Sequence, residues 1–501
     1  MTIYNFNLGI GWASSGVEYA QVYRAKIFRK LKQEAKFVFT DLILGENIEH
    51  LTKNIGFEDR EIIWLYEYFT DFKISPTTYS LLELEKNFSE NPIKKEIHSN
   101  FVRYFFNQTN KIATAYLKRN SDNLVERVEF VSDGKLIRKD YYTYGRIFSE
   151  YYAPKDNRAH IYLRCFFNQD GSTAYEEIID DKNSLYRFPD HIFYSKEELV
   201  EYFVSSLKLA KKDVVIIDRS TGIGPAIMKA KGHAKVGVVI HADHFNKSFT
   251  DEDYILWNNF YEFQFENANH INFFITATEK QRDVLRKHFL RYTSMSPEIY
   301  DIPVGSIDQL IYPAKPRKQF SVMTASRIAT EKHIDWAIKS VVGAHKIIPQ
   351  ITFDIYGKGG QEHQLNSLIK RLDASDYIHL KGHTDLSDIY KQYQLYLSSS
   401  TSEGFGLTLL EAIGSGLPII GFNVPYGNQT FVQNNKNGFL ISSDRNDEEH
   451  YNLDEMSQRI VDLFTKVNLE AFREKSYQIS TKFMTNKIET KWKDLLEGLN
   501  D

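Results

Sequence analysis

The sequence predicts an α/β protein in which two doubly wound parallel sheets face a cleft and an antiparallel sheet is inserted into the first. Short, continuous apolar runs such as 213–217 and 352–356 alternate with helical stretches, as buried parallel strands do. Between about residues 100 and 195, apolar and polar residues alternate, and Asp133–Gly134 and Asp170–Gly171 separate these runs as hairpin turns do. We therefore expect the inserted sheet to be a meander of consecutive hairpins.

The pattern changes along the chain at positions that indicate its organisation. A strand at 2–8, a glycine-bearing loop and a helix at 17–32 open the first sheet, and the same α/β pattern returns near residue 205. An amphipathic helix is expected at 486–496. We predict five segments: the N-terminal lobe, first part, 1–75; the inserted β-sheet domain, 76–204; the N-terminal lobe, second part, 205–310; the C-terminal lobe, 311–480; and a C-terminal helix, 481–501.

Composition excludes several classes of protein. The 501 residues carry a net charge of −4, which argues against a dedicated nucleic-acid binder, since such proteins usually have a large basic excess. Cys165 is the single cysteine, which excludes disulfides within the chain and zinc sites with two or more cysteine ligands. The N-terminus lacks the basic and apolar regions of a signal peptide, and no apolar run reaches about 20 residues. We expect a cytoplasmic protein whose membrane contact, if any, is peripheral.

The strongest local signal is the run Ser402–Ala412, which follows a predicted strand and opens a helix. Gly404 and Gly406 would let main-chain N–H groups approach a ligand, and the helix N-terminus favours an anion such as a diphosphate. Glu403 precedes the helix, where it could reach sugar hydroxyls. Glu411 lies within the helix, where it could accept hydrogen bonds from a ribose. The alternative is an ordinary helix start with exposed glutamates.

Two cations form the second signal. Arg327 follows a predicted strand at 319–325, and Lys332 comes five residues later. Ligands bind at the carboxyl ends of strands in doubly wound sheets. The two cations could therefore neutralise a pyrophosphate leaving group. The alternative is a solvated basic pair.

Two further segments are weaker candidates. The loop Gly9–Glu18 could cap a phosphate, although its glycines do not form a regular dinucleotide-binding motif. His241 directly follows a predicted strand, where it could bind a sugar hydroxyl or be a structural histidine. A metal site with Asp243 and His244 is disfavoured, because no further ligand pair is apparent. Asp251–Asp253 matches an Asp-x-Asp metal motif, but we interpret it as a charge cluster at the start of the aromatic, helical run that follows.

Together these features resemble the retaining family-4 GT-B glycosyltransferases over both predicted lobes. Glu403 and Glu411, with seven residues between them, are typical of that family, and Arg327 and Lys332 correspond to its diphosphate-binding pair. The segment Ile302–Asp308 is similar to the family's interlobe loop, but its residue order differs from the usual Pro-Asn-Gly-Val-Asp. Further similarities lie in its nucleotide-facing turns: Gly357 and His383–Thr384.

A closer resemblance is to the catalytic subunits of accessory-Sec peptide O-GlcNAc transferases. It is carried by NLGIGWASSGVEYA, IPVGSID, EKHIDW and the run from Ser400 to Phe431. The resemblance implies transfer of GlcNAc from UDP-GlcNAc to a serine-rich repeat adhesin polypeptide, with a homologous, non-catalytic partner subunit. It also implies an inserted β-sheet domain in the N-terminal lobe of a GT-B fold.

The resemblance further implies which residues act. The family acts without a metal, so none is expected here. The acceptor hydroxyl would attack beside the departing UDP, whose β-phosphate would take the proton. The residues implied in catalysis are Glu403, Arg327, Lys332 and His241. The residues implied in binding the nucleotide sugar are Gly16, Val17, Glu18, Tyr19, Gly357, His383, Thr384, Glu403, Gly404, Phe405, Gly406 and Glu411.

Other functions stay open at this point. Residues 101–165 hold twelve Lys/Arg and seven Asp/Glu, so the insertion could meet the acceptor or the partner, or be merely structural. A basic insertion also suits a polyanion, which makes a wall teichoic acid (polyribitol phosphate) GlcNAc transferase the main alternative. The chain could instead be a non-catalytic, peptide-binding partner subunit, although its intact Glu403 and Lys332 argue against that. A sugar-nucleotide epimerase would need no large insertion.

Overall fold

The computed structural model describes residues 1–11, 15–106, 110–181, 183–444 and 447–499. It contains two compact units: Met1–Val238 with Asn259–Ile271, and Val239–Asn258 with Asn272–Asp501. The boundaries of the five predicted segments stay predictions, because this two-way division does not resolve them. Among the described residues, no helix combines the length and the apolar character needed to cross a membrane.

The first unit opens with alternating strands and helices, as predicted. The helix predicted at 17–32 begins at Gly16 and ends at Lys30, and Lys32 beyond it has a left-handed φ of 53°. A capping box formed by Ser15 and Glu18 begins this helix. The elements are β1 (Ile3–Asn7), α1 (Gly16–Lys30), β2 (Ala35–Phe39), α2 (Ile48–Ile55), β3 (Ile62–Trp64), α3 (Leu65–Tyr68) and α4 (Leu81–Lys86).

The insertion is a ten-stranded sheet whose strands lie in sequence order, each antiparallel to the next. Asp133 and Gly134 join two of its strands with φ values of 48° and 73°, which is the geometry that Asp-Gly hairpin turns require. The predicted meander is therefore confirmed. Its strands are β4 (Lys94–Ile97), β5 (Phe101–Phe105), β6 (Lys111–Leu117), β7 (Val125–Ser132), β8 (Lys135–Tyr142), β9 (Arg146–Lys155), β10 (Arg158–Phe167), β11 (Thr173–Asp180), β12 (Asn183–Arg187) and β13 (Ile192–Phe193).

After the insertion the chain returns to the parallel sheet. The next elements are α5 (Lys196–Ser206), β14 (Val214–Ile217), α6 (Gly224–Ala230), β15 (Lys235–Ile240) and α7 (Glu262–Glu266). The strands pair in parallel in the order β15–β14–β1–β2–β3. All four residues of β14 are buried, as expected for a strand covered on both faces.

The prediction that a helix begins at the acidic cluster Asp251–Asp253 is wrong. The Asp251 carboxylate accepts hydrogen bonds from the main-chain N–H groups of Asp253 at 2.9 Å and Tyr254 at 2.8 Å. An aspartate side chain that bonds the main chain two or three residues ahead stabilises a turn in competition with a helix. The next α-helix accordingly begins only at Glu262.

The second unit contains a six-stranded parallel sheet in the order β20–β19–β18–β21–β22–β23. The elements of this unit are β16 (Phe273–Thr276), α8 (Glu279–Tyr292), β17 (Ile299–Asp301), β18 (Ser321–Ala325), α9 (Ile334–His345), β19 (Thr352–Tyr356), α10 (Glu362–Arg371), β20 (Ile378–Gly382), β21 (Leu395–Ser398), α11 (Leu407–Gly414), β22 (Ile419–Phe422), α12 (Gly427–Phe431), β23 (Gly438–Ile441), β24 (Ser443–Asp444), β25 (Asp447–Tyr451), α13 (Leu453–Thr465), α14 (Leu469–Ser480) and α15 (Thr485–Gly498).

This strand order has one consequence for function. β18 and β21 are parallel neighbours although they are not consecutive in the chain, so the order reverses between them. Such a switch point brings together the segments that leave the carboxyl ends of the two strands, and it is the usual place for a ligand in an open α/β sheet. Arg327 and Lys332 follow β18, and Glu403 follows β21.

Candidate active site

The glycine-bearing segment between β21 and α11 has a backbone that only glycine fits. Gly406 is the N-cap residue of α11 and has a φ of +86°, in the left-handed region that side chains disfavour. A Cβ atom at Gly404 would lie 2.6 Å from the main-chain oxygen of His241. Phe405 between them is buried and packs its ring against Phe431 and Phe483. The segment is thus fixed in place at the start of α11.

Glu403 and Lys332 form an ion pair at this segment. The Nζ atom of Lys332 lies 2.7 Å from Oε2 of Glu403, and each side chain is about one-fifth exposed, at 18% and 20%. Lys332 ends a short 3₁₀ helix, Thr330–Lys332, in the connection after β18. The switch point therefore brings together a carboxylate and a cation that are 71 residues apart in the sequence.

Arg327 has a different environment from Lys332. Its guanidinium donates a hydrogen bond of 2.8 Å to Glu331, and the two side chains are 62% and 49% exposed. Exposed ion pairs of this kind contribute little to stability. Within the described part of the chain, the Arg327 guanidinium thus pairs with a solvated neighbour on its own turn and is largely exposed.

Main-chain hydrogen bonds from a second segment support Glu403. The N–H groups of Tyr426 and Gly427 donate to the Glu403 carbonyl oxygen at 2.8 and 2.7 Å. A Cβ atom at Gly427 would collide with the Phe405 carbonyl oxygen, so this approach also needs glycine. The support that Tyr426 and Gly427 give to Glu403 was not predicted from the sequence, in which the Tyr-Gly pair after a buried strand is the only local signal for it.

Glu411 is half-buried one helical turn into α11. Its Oε2 accepts a hydrogen bond of 2.8 Å from the Tyr390 hydroxyl. Burial raises the pKa of Glu411, and the hydrogen bond from Tyr390 opposes that rise. Tyr390 was also missed from the sequence, because a tyrosine 21 residues away carries no local sign of this contact.

The predicted nucleotide-facing turns meet at the ends of neighbouring strands. Gly357 has a φ of +134°, and its N–H donates to the Gly382 carbonyl oxygen at 2.8 Å. A Cβ atom at Gly357 would collide with the Ser326 carbonyl oxygen, directly before Arg327. His383 and Thr384 follow Gly382 and are exposed. Gly357 thus allows the segments after β18, β19 and β20 to approach one another.

The predicted residues at the start of α1 lie in the first unit. The Ser15 hydroxyl accepts from the Val17 N–H at 3.2 Å, and the Glu18 carboxylate accepts from the Ser15 N–H at 2.6 Å and from Asn7 at 3.1 Å. Glu18 is only 3% exposed, so its carboxylate caps its own helix. Tyr19 is exposed, and Gly16 has open space beside its Cα. Trp12, Ala13 and Ser14 of the predicted loop lie outside the described residues.

The segment after β15 lies against the glycine-bearing segment. His241 is half-buried there, and Oδ2 of Asp243 accepts a hydrogen bond of 3.0 Å from the Ser402 hydroxyl. Burial raises the pKa of Asp243, and the bond from Ser402 opposes that rise. His244 is fully buried against His288, and burial lowers its pKa to about 3, so it is a neutral, structural residue. Within the described ranges, no group of three or more His, Cys, Asp or Glu side chains could hold a metal ion.

Comparison with known proteins identifies the family. The sequence profile described as GtfA extended beta-sheet domain matches residues 94–190, and that of Glycosyl transferases group 1 matches residues 312–456. The chain is 52% identical to the UDP-N-acetylglucosamine–peptide N-acetylglucosaminyltransferase GtfA subunit of Streptococcus gordonii, over 100% of this chain and 99% of that protein.

Two solved structures are similar over the same length. One is the pneumococcal O-GlcNAc transferase GtfA in complex with UDP and GlcNAc, with a TM-score of 0.95 and 50% identity over 100% of this chain and 99% of that chain. The other is a GtfA/B complex, with a TM-score of 0.92 and 52% identity over 100% of both chains. The chain therefore has the GT-B fold and belongs to the GtfA subunit family of UDP-N-acetylglucosamine–peptide N-acetylglucosaminyltransferases.

Proposed function

We propose that this chain is a retaining glycosyltransferase that moves GlcNAc from UDP-GlcNAc to Ser/Thr hydroxyls of a serine-rich repeat polypeptide, as the first step of its O-glycosylation. The observation that carries the proposal is the Lys332–Glu403 pair beside Gly404 and Gly406, at the switch point of the second unit's sheet. A cation, an acidic hydrogen-bond acceptor and a helix N-terminus at one place suit a sugar diphosphate. The full-length similarity to GtfA subunits supports the peptide acceptor.

We propose the following roles in donor binding. Lys332, Arg327 and the N–H groups that begin α11 would bind the diphosphate. His241 and the segment Glu403–Gly406 would bind GlcNAc. The remaining proposed contacts are with the nucleoside and phosphates: Glu411, Gly357, His383, Thr384, Gly16, Val17, Glu18 and Tyr19.

The reaction would proceed by front-face displacement. The acceptor hydroxyl attacks the anomeric carbon on the side from which UDP leaves, and the β-phosphate accepts its proton. Lys332 and Arg327 stabilise the negative charge that develops on the leaving diphosphate. Because protein cations supply this charge, we propose that no metal is needed, and we expect transfer to continue unchanged in excess EDTA. Loss of activity that added Mg²⁺ or Mn²⁺ restores would contradict this.

The charges on the insertion favour a polypeptide acceptor over a polyanion. Several of the cations counted in residues 101–165 are paired with carboxylates on their own or adjacent strands, which reduces their attraction for a teichoic acid. These pairs are Arg127 and Lys139 with Glu129, Arg138 and Arg146 with Asp140, and Arg164 with Glu150 and Glu177. The chain's similarity to a GtfA/B complex supports a homologous, non-catalytic partner subunit.

Intact-mass analysis tests the proposal directly. A serine-rich polypeptide is incubated with UDP-GlcNAc and this chain, with and without the partner subunit. Repeated additions of one N-acetylhexosamine are expected, with more additions when the partner is present. Transfer to polyribitol phosphate but not to the peptide would overturn the peptide acceptor. Conversion of UDP-GlcNAc without any acceptor would indicate an epimerase instead.

We further propose that the enzyme works in the cytoplasm and that any membrane contact is peripheral. Its single cysteine, Cys165, is buried as a free thiol, which suits a reducing compartment. Fractionation of cells that express the full chain tests this. We expect high salt to release any enzyme that is found with the membranes. Enzyme that high salt leaves on the membranes and that only detergent releases would contradict a peripheral contact.

A further inference from the structure

A cavity of about 320 Å³ lies within the first unit, apart from the residues discussed above. Its walls come from strands β6, β7, β8 and β9 of the inserted sheet, from the loop after β2 and from the β3–α3 segment. This volume is at the lower end of the range for small-molecule binding sites.

Three residues that line this cavity each have a buried polar atom without a partner among the described residues. Oε1 of Glu126, Nε of Arg127 and Oγ1 of Thr143 all belong to lining residues, and each is buried without a hydrogen-bond partner among the described residues. Buried polar atoms nearly always have a partner in native proteins. Glu67 also lines the cavity and is only 7% exposed. A ligand that both donates and accepts hydrogen bonds would satisfy this set.

The cavity suits an uncharged ligand better than a cation. Burial raises the pKa of Glu67 to about 7 and also raises that of Glu126, so both carboxyl groups bind protons more readily than usual. The positive charge of Arg119 in the lining would repel a cation.

Aromatic rings also line the cavity. Trp64, Tyr141 and Phe148 line the cavity, and the rings of Tyr141 and Phe148 stack with centroids 4.3 Å apart. Ring faces beside a few donors and acceptors are how a pyranose is held, because a sugar ring has apolar C–H faces and a rim of hydroxyl groups.

We propose that this cavity is a second sugar-binding site, which takes an N-acetylhexosamine already attached to the acceptor polypeptide. The proposal rests on the proposed function, since repeated transfer makes a polypeptide that carries product sugars. A site for such a sugar, separate from the donor site, would retain a partly modified chain between transfers.

Binding to the full chain, saturated with UDP, tests the proposal. Calorimetric titrations compare the α-methyl glycoside of GlcNAc, a serine peptide that carries GlcNAc, and the same peptide without sugar. We expect the glycoside and the glycopeptide to bind wild type, and Glu126→Gln or Thr143→Val to weaken both about tenfold, the cost of one strong hydrogen bond. Binding of the glycoside without the glycopeptide would overturn the retention role and indicate a site for free sugar.

Two control variants separate this cavity from other sites. Glu96→Gln makes the same substitution on β4 of the inserted sheet, outside the cavity, and should leave sugar affinity unchanged. Glu403→Gln alters the proposed donor site, so a loss of glycoside binding in this variant but not in the cavity variants would assign the binding to the donor site and overturn the proposal. If both cavity variants bind the sugar with wild-type affinity, or if wild type binds no sugar, the proposal is overturned. The cavity would then be one that only water fills. Because binding needs no turnover, this result is independent of whether transfer to peptide is observed.

Product distributions give a second readout. With excess serine-rich polypeptide, Glu126→Gln and Thr143→Val should add the first sugar within about twofold of the wild-type rate but release acceptors with fewer sugars per encounter. If one variant does not fold, as judged by near-ultraviolet circular dichroism, the product distribution of the other variant still tests the proposal. An unchanged distribution in a folded variant would refute retention.

Discussion

Glu403→Gln is the substitution that most directly tests the proposed active site. It keeps the size of the side chain but removes the charge that Lys332 contacts at 2.7 Å. The hydrogen bonds from Tyr426 and Gly427 reach the Glu403 carbonyl oxygen, which the substitution leaves in place. The local backbone should therefore survive while the carboxylate that orients the sugar and Lys332 is lost.

The two expected effects differ in size. Loss of one preorganised electrostatic contact commonly costs about 3 kcal/mol in the transition state, on the order of 100-fold in kcat. The ion pair is about one-fifth exposed, so its loss should lower the free energy of unfolding by only about 1 kcal/mol. Initial rates of GlcNAc transfer to a serine-rich peptide and thermal unfolding measure the two quantities on the same samples.

Glu331→Gln is the matched control for this experiment. Glu331 lies one residue before Lys332, but it is 49% exposed and pairs with Arg327 on the surface. We expect its kcat within about threefold of wild type, since exposed pairs are worth little. A Glu403→Gln variant with near-native kcat would refute the proposed site. An equal loss of kcat in both variants would mean that activity depends on negative charge near Lys332 in general and not on Glu403 itself.

Three further substitutions follow from the geometry. Arg327→Ala should lower kcat on the order of 100-fold by removing charge from the leaving diphosphate, with little change in thermal unfolding because the side chain is 62% exposed. Gly404→Ala should cost about 1–3 kcal/mol of unfolding free energy by overpacking, whereas Gly360→Ala, which has no atom within 4 Å of the added carbon, should change it little in urea titrations. Tyr390→Phe should raise the KM for UDP-GlcNAc several-fold, most at low pH. Without the hydroxyl, the already raised pKa of Glu411 rises further, so the carboxylate is protonated at a higher pH as the pH falls.

Each of these expectations can fail in a defined way. Native turnover by Arg327→Ala would remove it from the diphosphate site. Equal unfolding free energies for the two glycine variants would mean that the segment at Gly404 relaxes without cost. A pH profile of KM that is the same in Tyr390→Phe and wild type would separate Glu411 from nucleotide binding.

Much of the architecture can be predicted from local sequence patterns. Runs such as Thr352–Tyr356 are buried strands at the predicted residues, and the Asp133–Gly134 turn lies where its dipeptide indicated. These features follow from side-chain periodicity and backbone preference, which act over a few neighbouring residues. Local reasoning failed at Asp251, where a side-chain bond to the main chain stabilised a turn instead of a helix.

The candidate site likewise has features that the sequence predicts and features that only the tertiary structure shows. The sequence by itself placed Glu403, Glu411, Arg327 and Lys332 at strand ends and a helix start, and the family resemblance predicted that they serve one site. Only the tertiary structure decided that Lys332 and not Arg327 contacts Glu403. The tertiary structure alone also showed that main-chain groups of a distant segment support Glu403. It alone showed that, among the described residues, three polar atoms in the lining of the cavity have no partner. Such contacts join residues far apart in the chain and depend on how whole strands and helices pack, which no local pattern encodes.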